Sequence, residues 1–230
     1  MPGRRMTSRH RFSEIGQRVA RETHSRQRQL REQIAQLAAR LVAEDGIDDW
    51  GLAKKKAART LGLAEAHCLP TNAELEAALL EYQRIFDEDG QREALHWLRS
   101  QALDLMDLFE RFQPHLVGPV LSGAIGKYPT IHLHLFTDDE KAIEWFLMKE
   151  AIPYDPTQRR VFIAGATSTV PCFELNVEGT DVHMLQFTGA DRHQPVRLTA
   201  EGRPMARAGR TSLAAKLDET AAPETLWTER

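Results

Sequence analysis

Seven residues, Thr130–Phe136 (TIHLHLF), constrain this chain more than any other stretch. Apolar and polar side chains alternate along them, which is the pattern of a strand with two unlike faces. Ile131, Leu133 and Leu135 point one way, into a core, and Thr130, His132, His134 and Phe136 point the other way. Any fold that holds this strand must therefore bury one face of a sheet and place two neighbouring histidines on the opposite face. Before the strand come an apolar run, Val117–Leu121, and a small-residue turn, Ser122-Gly123; after it a helix opens at Thr137.

Upstream the period is helical. Ser13–Glu44 reads as one long helix with Leu30, Ile34, Leu37 and Leu41 in a stripe, polar all round in its first half. Gly46 ends it. Asp48 or Asp49 caps a second helix running to Leu61. Thr71 with Glu74 three residues on is a capping box that opens a third helix. A fourth covers Gln91–Phe112, and Pro114 closes the helical part. After Gln113 the period falls towards two. The spacing then predicts a helix over Asp138–Ala151, a strand at Val161–Ala164 and a hairpin of Val170–Val177 with Asp181–Phe187 around Glu178-Gly179. A two-residue hairpin loop sets Glu174 opposite His183 on one face. A short helix is expected near Thr211–Glu219.

The expected fold is α+β, a helical N-terminal half followed by a small mixed sheet with helices. The expected divisions are a disordered basic tail at 1–12, a helical region at 13–113, an α+β core at 114–190 and a C-terminal extension at 191–230.

At 230 residues and 42% hydrophobic content the chain can bury a sizeable core. The net charge of -3 gives no global case for a nucleic-acid partner. Its distribution is uneven. Residues 1–31 carry nine Arg and two Glu, and residues 61–112 carry four Arg against eleven Asp and Glu. Opposite charges of that kind pair within a molecule or meet an external partner. Cys68 and Cys172 are far apart with no metal-binding spacing, so they read as buried thiols of a reduced, cytoplasmic protein. No stretch has transmembrane length, and the N-terminus lacks the apolar segment of a secretory signal.

The order of strand, small-residue turn, strand with two alternate polar residues, then helix resembles the core of the nucleotidyltransferase superfamily, the polymerase-beta-like fold. The resemblance covers residues 116–188. Ser122-Gly123 matches the family's turn in reversed order, the family's Asp-x-Asp positions fall on His132 and His134, and the third carboxylate falls on His183 in the later strand, ELNVEGTDVHMLQF. The chain departs from the family in having imidazoles where carboxylates hold two Mg²⁺ ions. The resemblance implies an α+β nucleotide-binding fold and, if the protein is active, a nucleotidyltransferase-type transferase.

These residues carry several candidate sites. His132, His134 and His183 form a candidate metal set, suited to Zn²⁺ better than to Mg²⁺, or else they line a polar cleft left by an eroded active site. His132, His134 and Glu174 are the candidate catalytic residues, Glu174 as a base. Ser122, Gly123 and Lys127 are candidate phosphate contacts, because a small-residue turn brings backbone N–H groups close to an anion; the same residues also read as a plain tight turn. Asp138 and Asp139 read as helix caps. Lys54, Lys55, Lys56 and Arg59 have the rhythm of a helix-turn-helix, but the helix that follows is acidic and would repel DNA. Three functions stand beside one another: a divergent, catalytically degenerate nucleotidyltransferase-like protein that binds a nucleotide or phosphorylated small molecule; a non-enzymatic interaction module that dimerises through the long N-terminal helix; and a nucleic-acid binder acting through the basic arm.

Overall fold

A computed structural model describes residues 8–63, 69–200 and 202–220. Cys68, the first seven residues of the expected basic tail and residues 221–230 lie outside the described residues. The fold is α+β, with helices first and a five-stranded mixed sheet after them. Among the described residues no helix is long and apolar enough to cross a membrane. Two compact units divide between Tyr82 and Gln83.

The first unit holds α1 (Ser8–Ala43), α2 (Trp50–Thr60) and most of α3 (Asn72–Phe86). α1 starts upstream of Ser13, so residues 8–12 of the expected tail are helical. Its buried face is Ile34, Ala35, Ala38, Ala39 and Val42, whereas Leu37 and Leu41 of the expected stripe are only half-buried. α1 packs on α2, whose own buried residues are Ala53, Ala57 and Ala58. Small side chains at such a contact shorten the distance between helix axes. The caps form where the sequence places them. The Asp49 carboxylate accepts from the N–H groups of Gly51 and Leu52 at 2.7 and 3.1 Å, and Thr71 and Glu74 exchange hydrogen bonds in a capping box.

The second unit contains α4 (Glu88–Leu108), β1 (His115–Val117), α5 (Pro119–Ser122), β2 (Thr130–Phe136), α6 (Ala142–Lys149), β3 (Asp155–Ile163), β4 (Ala166–Val177), β5 (Thr180–Phe187) and α7 (Arg210–Thr220). α4 falls in this unit although its periodicity groups it with the helices before it. Its Leu98, Ala102, Leu105 and Met106 join Ile131, Leu133, Leu135, Val182 and Met184 in one core. The strand order is β1-β2-β5-β4-β3, with β2 and β5 parallel and the other pairs antiparallel.

Three local expectations change. The run Val117–Leu121 is not one strand: β1 ends at Val117, Gly118 turns the chain with φ 74°, and the next residues make the single turn α5. β3 is longer than Val161–Ala164, because β4 pairs with it along its whole length. α6 begins at Ala142 rather than Asp138. Asp139 accepts from the Lys141 N–H at 2.9 Å, closing the turn before the helix, while Asp138 accepts from the Gly189 N–H at 2.9 Å and fixes the chain beyond β5.

The sheet has an inner face against the helices and an outer face. Residues 189–208 cross part of the outer face. Val196 and Met205 cover Phe136, Phe187, Val161, Ile163 and Val170, and backbone pairs Phe162–Arg197 and Leu116–Ala208 fix this segment at both sides of the sheet. The rest of the outer face is polar.

Candidate functional site

The polar part of the outer face is organised by register. β1 pairs Val117 with His132, β2 pairs His132 with His183, β5 pairs His183 with Glu174, and β4 pairs Glu174 with Asp155. Cross-strand partners share a face, so one row of side chains spans all five strands and holds four ionisable groups in succession. A second row beside it places Thr130, Asp181 and Asn176 together.

Local sequence sets this register. The hairpin between β4 and β5 turns on Glu178 (φ 50°) and Gly179 (φ 86°), both left-handed, the geometry of a two-residue turn that follows strand twist. That turn brings Glu174 opposite His183, as the loop length predicts. A concavity of about 380 Å³ lies here, lined by Pro153, Tyr154, Asp155, Glu174, Leu175, Asn176, Asp181 and His183.

The His132 and His183 rings stand 5.3 Å apart, centroid to centroid, edge to face. His132 is half-buried, and burial, then His183 and Arg159, pushes its imidazole down to about 4. His183 is also lowered, chiefly by burial and against the opposing pull of Glu174. Both rings are therefore neutral near pH 7 and present one N–H donor and one acceptor each. The His183 Nε2 lies 3.9 Å from Glu174 Oε1. The same Glu174 oxygen accepts from the Arg159 guanidinium at 2.6 Å. Glu174 thus stands between the Arg159 guanidinium and His183 in this row. Arg159 also reaches the buried Cys172, whose thiol is pushed up by burial.

His134 does not share this environment. Although it points to the same face, it is completely buried. The Arg207 Nε donates to its Nδ1 at 3.2 Å, which fixes the tautomer with hydrogen on Nε2. Among the described residues that Nε2 has no hydrogen-bond partner. Burial first, then the Arg207 charge, pushes this imidazole down to about 3. The Arg207 guanidinium also lies over the rings of Phe136 and Phe187, at 5.2 and 5.8 Å from their centroids, and donates to the carbonyls of Arg192 and Gln194. His134 is thus sealed into the packing of residues 189–208 on the sheet.

Of the expected site residues, His132, His183 and Glu174 come together. His134 leaves the set, so the three histidines do not converge on one ion, and no group of three or more His, Cys, Asp or Glu among the described residues is placed to hold a metal. The two Mg²⁺ ions of the resembled family do not fit these residues: imidazoles stand where oxygen ligands are needed, and one of them already accepts a bond from a guanidinium. No chemistry is therefore routed through a metal. The Ser122-Gly123 cradle does not form either. The Ser122 and Gly123 N–H groups donate to the carbonyls of Gly118 and Pro119 at 3.1 and 2.7 Å, closing α5. Lys127 lies over the ring of Tyr128, 5.6 Å from its centroid.

Sequence reasoning passes over Arg159, Asp155 and Arg207. Gly118 packs on the site: a Cβ there would sit 3.2 Å from His132 Cδ2. Its signal is local, a glycine directly after a strand and before proline. Arg159 and Asp155 give none, because only the long pairing of β3 with β4 carries them to Glu174. Set against known proteins, the chain matches no family model, no curated protein and no solved structure.

Proposed function

We propose that this is a divergent nucleotidyltransferase-like protein of the cytoplasm that binds a nucleotide or another phosphorylated small molecule without two-metal catalysis. One observation carries the reading: His132 and His183 meet in register on adjacent parallel strands, two of the three positions where the resemblance expects the carboxylates that hold phosphate-bridging Mg²⁺ ions. Neutral imidazole N–H groups and the Arg159 guanidinium supply donors for phosphate oxygens. Asn176, Asp181 and Asp155, which line the concavity with His183, supply partners for ribose hydroxyls or a base edge. In any proton transfer His183 and Glu174 are the candidate groups.

The test is a thermal-shift panel of the four ribonucleoside triphosphates and inorganic phosphate, each with and without Mg²⁺. A ligand at 100 times its dissociation constant adds about 2.7 kcal/mol of stability. The reading expects a rise in Tm with at least one compound, abolished in His132→Ala/His183→Ala of unchanged circular dichroism. No shift with any compound, or a shift that the double variant keeps, overturns it.

A second reading, a protein-interaction module, has its own observation. Trp145 and Met148, three residues apart on α6, are 63% and 59% exposed, and large apolar side chains left side by side in water favour a docking surface. Concentration-dependent sedimentation that disappears in Trp145→Ser/Met148→Ser supports it.

A further inference from the structure

We infer that residues 21–29 of α1 are a contact surface for the phosphate backbone of a nucleic acid. This rests on α1 alone and is independent of the outer-face site. Residues 21–29 (RETHSRQRQ) contain no apolar side chain, and every one of them is exposed. Two and a half helical turns of this kind cannot gain stability by apolar burial, either against this chain or against a second copy. What they present is charge. Within them Arg21, Arg26 and Arg28 outnumber the one acidic residue, Glu22, and the sequence before them adds Arg4, Arg5, Arg9, Arg11 and Arg18 against Glu14. Arg21, His24 and Arg28 recur at i, i+3 and i+7, one ridge along the helix. Arg31, the next residue of the ridge, lies 3.9 Å from Glu74, so the first unit's own packing takes over at that point.

A polyanion is the partner this surface fits. Arginine forks match phosphate oxygens, and the counterions released when cations replace them make such binding favourable even without base contacts. The charge of the whole chain excludes a diffuse effect. The full protein carries -3, so attraction to a polyanion must come from a local patch, and α1 begins inside the most basic stretch of the sequence. The surface meets backbone and not bases: it presents two arginines on a single ridge, and phosphate contacts position a protein without carrying sequence information.

The experiment is fluorescence anisotropy of the full chain with a labelled 20-base-pair DNA duplex and, separately, a labelled 20-nucleotide single-stranded RNA, each titrated between 50 and 200 mM salt. The expected result is saturable binding at 50 mM salt that weakens steeply as salt rises. Arg21→Gln/Arg28→Gln should keep its helix content and lower the log–log salt slope on the duplex by about 1.8, at about 0.9 for each phosphate no longer neutralised. Arg21→Lys/Arg28→Lys keeps the charges and should keep most of the slope. The stronger of the two probes identifies the nucleic acid. Absence of binding to both at 50 mM salt overturns the inference. So does an unchanged slope in the Gln variant, which would move the binding surface elsewhere on the chain.

Discussion

His132 and His183 face one another from adjacent parallel strands, in register, with ring centroids 5.3 Å apart. Burial disfavours a charge on either ring first, His183 then opposes a charge on His132, and Arg159 adds positive charge beside both. The pair is therefore held neutral, and the two rings can donate hydrogen bonds without carrying fixed charge.

Acidification should destabilise the second unit through His134 and His132. His134 is held at about 3 and His132 at about 4, both below the ordinary 6.5. The unfolded chain therefore binds protons first as pH falls below 6.5, and stability is lost from there down to the folded values. The loss reaches about 1.4 kcal/mol per pH unit for each histidine within that window. Thermal melts from pH 7 to pH 4 check this. His134→Leu should flatten the slope, and an equal slope in that variant would place the pH sensitivity elsewhere.

Gly118→Ala should cost stability and disturb the site together. The residue has φ 74° and ψ -153°, a region closed to side chains, and the new methyl would meet His132 at 3.2 Å. Strain of this kind costs about 1–3 kcal/mol. Gly179→Ala is the control. It also has positive φ, 86°, but nothing lies within 4 Å of the added atom. Urea melts should show both variants weakened, with ligand binding abolished only at Gly118.

Arg99→Met should destabilise strongly. This guanidinium is 5% exposed and donates to the carbonyls of Val120, Leu121 and Lys216 at 3.2, 3.1 and 3.1 Å. It joins α4 to α5 and α7. Removing it leaves carbonyls without their donor, which should lower stability by about 3 kcal/mol in a denaturant melt. Arg99→Lys should recover less than half, because one ammonium cannot reach three separated acceptors.

Arg207→Ala should loosen residues 189–208 before the sheet. The side chain bonds His134, three carbonyls of the segment and two aromatic faces at once. Hydrogen exchange should show amides of 196–208 exchanging much faster while β2 and β5 stay protected. Equal protection in the variant would mean that the Val196 and Met205 packing alone holds the segment.

Much of the architecture is legible in the sequence because it depends on neighbours. The alternation of TIHLHLF separates Ile131, Leu133 and Leu135 from the histidines, the Glu178-Gly179 turn sets Glu174 against His183, and Asp49 and the Thr71–Glu74 box mark helix starts through bonds that span two or three residues. The tertiary structure decided the rest. Which histidines act together depends on what covers them, and Arg207, far along the chain from His134, seals that ring while leaving His132 open. Asp155 and Arg159 enter the site only through the β3–β4 pairing. α4 reads like its helical predecessors, yet it is buried against the sheet, because an amphipathic stripe specifies a face to be covered and carries no information about the surface that covers it.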